Sequence, residues 1–276
     1  MRSVPDLPSP PPPLWLRAST RLITAHVARR RRADRDAFPT ERLRAERVDD
    51  GGVGGWWIPP VGTTRVVVVV AHGFGASATT MASTAARLSA AGAAVLVHDH
   101  QALPRMARGE PRPETPDRAL TAAVLLAQGR GSGVPLRLLG HSLGGAAALG
   151  AAANVAAVDR VVTLAGVADP ARTRMSVIPA WLNRQALTAM RRRGGPDLCA
   201  AIGVGAMRRR PDLLVLAVHG RADRVVPVGN ALRLAAAGAR LRLVEAAGHD
   251  PGRLFAETAE EVVDFLVTAP VADTRR

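Results

Sequence analysis

Ser142 stands within Gly140-His141-Ser142-Leu143-Gly144, between two stretches of opposite character. Before it runs Leu136-Arg137-Leu138-Leu139, short and apolar enough for a buried strand, and after it runs Gly145-Ala146-Ala147-Ala148-Leu149, a small-residue helix start. A strand-to-helix turn this tight crowds its flanks, which explains glycine on both sides, and it lifts the serine hydroxyl above the sheet edge toward the N–H groups of a helix N-terminus. A serine hydroxyl is a poor nucleophile until a base takes its proton, and the resulting imidazolium is stabilised by a carboxylate behind it. Both groups follow later in the chain. The apolar run Leu213–Val218 leads into His219-Gly220-Arg221-Ala222-Asp223, and Leu241–Val244 leads into Glu245-Ala246-Ala247-Gly248-His249-Asp250. Asp223 and His249 each stand just past a strand, as Ser142 does.

Other residues compete for these roles. Asp169 follows the strand expected at Val161–Ala165 and is the alternative acid to Asp223. Asp250 and Glu245 adjoin the same loop as His249 but do not suit its far ring nitrogen. His98 and His100 flank Asp99 at alternate positions, a spacing open to a metal pair, yet no further ligand cluster accompanies them. No metal and no cofactor is expected. The single cysteine, Cys199, excludes an intrachain disulfide and is compatible with a reducing compartment.

The elements that must position these groups alternate in type. Strands are expected at Leu43–Val48, Gly54–Ile58 and Arg65–Ala71, the last with five consecutive valines, the mark of a strand buried on both faces of a parallel sheet. A helix over Ser77–Ala91, a strand at Ala94–His98 and a helix over Pro116–Gln128 follow. Then come the strand at Leu136–Leu139, a helix over Leu143–Asn154 and the strand at Val161–Ala165. The alternation lapses over 166–212 and resumes with strand Leu213–Val218, helix Gly229–Ala237, strand Leu241–Val244 and helix Arg253–Leu266. This order implies an α/β fold, a mostly parallel central sheet flanked by helices on both faces. An arm and helix over 1–40 precede the main domain at 41–276, and 166–212 reads as a small lid or cap insertion. Within that insertion, Met175, Val177, Ile178, Trp181, Leu182 and Leu187 suit either the wall of an apolar pocket under a helical cap or ordinary packing onto the body of the domain.

Four motifs stand in register along this frame: His72-Gly73-Phe74-Gly75, Gly140-His141-Ser142-Leu143-Gly144-Gly145, Gly220-Arg221-Ala222-Asp223 with Val226-Pro227, and Gly248-His249. On these the chain resembles the α/β-hydrolase superfamily, in particular its serine esterase and lipase-like members. The resemblance spans residues 72 to 249 with the superfamily's chain order of Ser, then Asp, then His. It implies Ser142 as nucleophile, Asp223 as acid and His249 as base, with an oxyanion hole made by the backbone N–H groups of Phe74 and Leu143. It also implies structural roles for His72 and His141. One departure stands out: Asp99-His100-Gln101-Ala102-Leu103-Pro104 lacks the glycines of the Asp-x-x-Gly-x-Gly turn found in many members, which leaves the shape of that loop open.

The implied activity is hydrolysis of carboxylic esters through an acyl-enzyme, on a small-molecule substrate with an apolar acyl or alcohol group. A thioesterase, a lysophospholipase or an acyltransferase would use the same residues, and a non-catalytic ligand-binding or membrane-associated protein would keep only the fold. The formal net charge is +14, carried entirely by arginine because the chain has no lysine. Such an Ala-, Gly-, Pro- and Arg-rich composition follows from a G+C-rich coding sequence, so the total charge says little and only local clusters bear on partners. The arginines at 29–32, 191–193 and 208–210 come without any nucleic-acid-binding motif, and no nucleic acid is expected. Trp15, Ala18, Leu22 and Ala25 give residues 14–32 an apolar stripe, read either as packing on the domain or as a weak membrane-surface contact. The N-terminal stretch has no apolar core typical of a secretory signal, which favours a cytoplasmic, at most peripheral, location.

Overall fold

A computed structural model of the chain describes residues 37–99, 115–131, 133–168 and 203–267. The expected helix over 14–32, the loop after Asp99, Asp169, Cys199 and most of the 166–212 insertion lie outside the described residues. Eight strands form one sheet in the order β1-β2-β4-β3-β5-β6-β7-β8. A short helical turn, α1 (Thr40–Leu43), precedes β1 (Glu46–Asp50) and β2 (Val53–Ile58). The chain continues through β3 (Val66–Ala71), a 3-10 turn at Ala78–Met81, α2 (Ala82–Ala90) and β4 (Ala93–His98). After α3 (Pro116–Arg130) come β5 (Leu136–His141), α4 (Leu143–Asn154) and β6 (Val158–Leu164). Then follow α5 (Val204–Arg209), β7 (Leu214–Gly220), α6 (Gly229–Ala236), β8 (Arg240–Val244) and α7 (Pro251–Val267). Strands β1 and β2 pair antiparallel with each other, β2 pairs antiparallel with β4, and every pairing from β4 to β8 is parallel.

The expected order of elements is present, with shifted ends. The first expected strand began at Leu43, but Leu43 closes a helical turn, and Arg44 leaves it in the left-handed region at φ 52°. The expected helix over Ser77–Ala91 splits into the 3-10 turn and α2. The stretch without alternation contains a short helix, α5, packed against α4.

The valine run of β3 shows why period-two alternation is absent there. Val67, Val69 and Ala71 face one apolar layer with Leu120, Val124 and Leu149, while Val66, Val68 and Val70 face a second layer with Leu88, Phe255 and Val262. Helices α3 and α4 cover one face and α2 and α7 the other. Each fully buried valine contributes about 1.5–3 kcal/mol relative to exposure. Among the described residues, no helix is long and apolar enough to cross a membrane.

Two features of this frame position the loops at the C-terminal ends of the strands. The chain runs from β3 outward to β4, then returns to place β5 on the other side of β3. In open parallel sheets ligands settle outside the carboxyl ends of the strands at such a reversal, here above β3 and β5. At the opposite end, α7 is anchored by two arginines. Arg137, fully buried on β5, donates to both carboxylate oxygens of Asp159 at 3.0 and 3.2 Å and to the Leu266 carbonyl at 2.9 Å. Arg160 donates to the Phe265 carbonyl at 2.8 Å. Cations there complement the negative end of the helix dipole. They hold the far end of α7, which starts at Pro251, two positions after His249, and kinks at Thr258 (φ −130°, ψ 17°).

Candidate active site

Ser142 is built by the turn from β5 into α4. Its backbone lies at φ 55°, ψ −118°, a conformation that costs about 1–3 kcal/mol outside glycine and persists only where the surroundings enforce it. Here they do. The Ser142 N–H donates to the Leu164 carbonyl at 2.9 Å, and its carbonyl accepts from Gly145 at 3.1 Å and from Val167 at 3.3 Å. The flanking glycines are required by backbone contact: a Cβ on Gly140 would lie 2.2 Å from the Gly144 carbonyl oxygen, and one on Gly144 would lie 2.5 Å from the Ala71 and His72 oxygens.

Asp223 and His249 arrive from neighbouring strand ends. A Cβ on Gly220 would fall 2.2 Å from the Ala247 oxygen, so glycine at the end of β7 allows the two loops to touch. The Arg221 N–H donates to Val244 at 2.9 Å and the Ala222 N–H to Ala247 at 3.1 Å, stitching the loops together. Asp223, whose side chain is wholly shielded from solvent, accepts the Val225 and Val226 N–H groups on Oδ1, each at 2.8 Å. Its Oδ2 accepts His249 Nδ1–H at 2.8 Å, and His249 Nε2 lies 3.1 Å from Ser142 Oγ. Three side chains far apart in sequence thus form one hydrogen-bonded line from carboxylate to imidazole to hydroxyl. With Nδ1 carrying its proton toward Asp223, Nε2 presents a lone pair to the serine, the arrangement needed to accept the hydroxyl proton.

Burial alone would raise the Asp223 carboxyl above its usual range. The His249 hydrogen bond and charge, with the two loop N–H groups, outweigh burial and hold it below. Asp223 therefore stays ionised, and its contribution to stability is present above the ordinary carboxylate value and lost as pH falls below it.

Phe74 lies in the loop after β3, with His72 Nδ1 donating to the Gly73 carbonyl at 2.8 Å and Gly75 at φ 71° completing the turn. Phe74 is 41% exposed, and a Cβ on the preceding Gly73 would sit 3.2 Å from Ser142 Cβ, so this loop borders the serine directly. Leu143 is the first residue of α4. Among the described residues, neither the Phe74 nor the Leu143 N–H donates to a backbone carbonyl, which suits groups available to an anionic oxygen.

Three contacts lay beyond sequence reasoning. Asp99, the residue of the atypical loop, turns back to His72 at 3.2 Å from Nε2. His219 lies 3.6 Å from Asp223 Oδ2 and donates from Nε2 to the Val226 carbonyl at 2.8 Å. Its placement four residues before Asp223, in the same strand-end turn, is the one signal that was available. His141 donates from Nε2 to the His249 carbonyl at 3.0 Å. Among the described residues, no cluster of three or more histidine, cysteine, aspartate or glutamate side chains has metal-binding geometry.

Burial, reinforced by the neighbouring His249, pushes the His141 pKa down from 6.5 to about 3. In the unfolded chain the same imidazole takes up its proton near 6.5, so its stabilising effect is full above 6.5 and is lost as pH falls toward 3. At about 1.4 kcal/mol per pH unit this one group weakens folding by roughly 4–5 kcal/mol across that window. His219, also lowered by burial, adds a slope of the same sign. Urea unfolding followed from pH 7 to pH 4 should show stability falling steadily, and His141→Gln should make the slope shallower. An unchanged slope in that variant would show that His141 protonates in the folded state as readily as in water.

The comparisons with known proteins agree with this architecture. A family model described as serine aminopeptidase, S33, matches residues 62–196. No curated protein matches the sequence. Among solved structures, brefeldin A esterase, described as a bacterial homologue of human hormone sensitive lipase, superposes with a TM-score of 0.64 at 18% identity, over 90% of this chain and 85% of that one. The esterase domain of a Rhodothermus marinus protein gives 0.56 at 22% identity, over 79% of this chain and 94% of that one. A Mycobacterium tuberculosis puromycin-hydrolyzing peptidase gives 0.62 at 21% identity, over 82% of this chain but 39% of the longer partner. The sheet order and these neighbours show that the chain has the α/β-hydrolase fold.

Proposed function

We propose that this α/β hydrolase cleaves carboxylic esters through a covalent acyl-enzyme. The hydrogen-bonded line from Asp223 through His249 to Ser142 carries this reading. Ser142 Oγ attacks the ester carbonyl carbon as His249 Nε2 takes its proton, and the carbonyl oxygen becomes an oxyanion facing the Phe74 and Leu143 N–H groups. Collapse of the tetrahedral intermediate breaks the carbon–oxygen bond to the alcohol, which leaves with the proton from His249. Water then repeats the sequence on the acyl-enzyme, releasing the acid and restoring Ser142. Preorganised donors at the oxyanion are each worth about 2.7–4 kcal/mol in comparable sites. The exposed Phe74 ring beside the serine favours a substrate with an apolar acyl or alcohol group. The residues involved need no metal or organic cofactor for these steps.

Amide cleavage is the second reading, favoured by the family model's description and by the peptidase among the structural neighbours. Thioesters and lysophospholipids would enter the same chemistry, and an acyltransferase would differ only in excluding water. The single cysteine is compatible with a cytoplasmic enzyme, and the lid over 166–212 remains part of the proposed design. Turnover measured over aryl esters and thioesters of increasing acyl length, beside aminoacyl anilides, separates these readings. Esters should turn over fastest, with a preference among apolar acyl chains. Exclusive cleavage of the anilides would replace the esterase reading with a peptidase one, and no reaction with any of them or with a fluorophosphonate would indicate a binding protein.

A further inference from the structure

His141 precedes Ser142 in the chain and ends β5, yet its side chain reaches the opposite partner of the site. Its Nε2 lies 3.0 Å from the His249 backbone oxygen, a contact across 108 residues. A carbonyl only accepts, so Nε2 carries the ring proton and Nδ1 is bare. Nδ1 is fully shielded from solvent and has no hydrogen-bond partner among the described residues. It faces Gly73, where a Cβ would come within 2.9 Å, so glycine there admits the ring. The His141 and His249 ring centres lie 4.7 Å apart at a 48° tilt. One neutral side chain therefore holds the backbone of His249 and packs against its imidazole.

We propose that His141 is a positioning residue that sets the reach of His249 to Ser142. The inference rests on the hydrolase reading above. Asp223 and Ser142 orient the imidazole at its two nitrogens, but neither holds the backbone that carries it. His141 does, and because it is covalently joined to Ser142, any shift of the serine turn moves the backbone of His249 with it. The span between base and nucleophile is thereby tied to two adjacent residues rather than to the packing of distant loops. Its depressed pKa, near 3, keeps His141 uncharged beside His249 when the latter becomes an imidazolium.

The test compares His141→Phe, which keeps a ring but no donor, with His141→Gln, whose amide nitrogen occupies the place of Nε2. His141→Leu replaces the Phe variant should the larger ring not pack. A displacement of about 1 Å in a reacting group costs on the order of 100-fold. The rate of fluorophosphonate labelling at Ser142 should fall about 10–100-fold in the Phe variant, through kcat rather than KM in ester assays. It should return to within several-fold of the parent in the Gln variant. The downfield proton resonance of His249 Nδ1–H bonded to Asp223 should survive in the Gln variant and broaden or vanish in the Phe variant, with the melting temperatures of both recorded alongside. Equal labelling in all three proteins, or equal loss in both variants without rescue by Gln, would overturn the proposal. A parent protein unlabelled at Ser142 that still loses the resonance only in the Phe variant would overturn the hydrolase reading and leave the positioning role standing.

Discussion

Ser142→Ala is expected to abolish both fluorophosphonate labelling and ester hydrolysis, with kcat lowered about a million-fold, as loss of the nucleophile does in a comparable triad. The substitution removes one oxygen and leaves the strained turn in place. The backbone bonds from Ser142 to Leu164, Gly145 and Val167 do not involve the hydroxyl, so the turn and helix α4 should keep their geometry. Alanine at φ 55° is no more strained than serine, and the melting temperature should change little. The loss is therefore chemical: His249 keeps its carboxylate partner but has no proton to take. What turnover persists comes from substrate binding and the oxyanion donors, still about 10³–10⁴ above water in such sites. Ester turnover near the parental rate in this variant would remove Ser142 from the mechanism.

Asp223→Asn should lower kcat about 10⁴-fold, and the reason is the way the loop holds the carboxylate. Val225 and Val226 both donate to Oδ1, so in the variant the amide oxygen must remain there to satisfy them. The amide NH₂ is then turned toward His249 Nδ1, where Oδ2 had been. A donor facing Nδ1 forces that nitrogen to accept, moving the ring proton to Nε2, and the base then presents a hydrogen to Ser142 instead of a lone pair. The alternative flip keeps the tautomer but sets an NH₂ against two backbone N–H groups in a buried turn. Steady-state kinetics give the rate and nitrogen-15 shifts of His249 give the tautomer. Near-normal activity would transfer the role of acid to Asp169, the other candidate after a sheet strand.

Strand β3 and the turn at Ser142 were legible before folding because each is governed by local constraints. Five β-branched residues in a row suit a strand covered on both faces, and glycine is demanded wherever a Cβ would fall within 2.5 Å of a neighbouring backbone oxygen. Asp223 and His249 were legible because each follows an apolar strand that leads into a polar loop. The boundary at Leu43 is hidden in the sequence because a single helical turn carries no periodicity, and a left-handed Arg44 leaves no signature in residue type. The contacts of His141, His219 and Asp99 were invisible for a different reason. Each depends on where a ring points, and a histidine that braces a backbone carbonyl has the same spacing as one that merely packs.

The order of residues along the chain carries the proposed chemistry: Ser142 as nucleophile, His249 as base and Asp223 as acid, each at the end of a strand in a parallel sheet. Periodicity and glycine placement express local rules, so that much needs no knowledge of distant partners. The fold alone settled that Asp223 Oδ2, His249 and Ser142 fall into one line at 2.8 and 3.1 Å, and that His141 ties the base to the nucleophile's own strand. Those distances join residues 26, 107 and 108 positions apart. They are set by how β5, β7 and β8 lie side by side, a property of the sheet's assembly that no single segment contains.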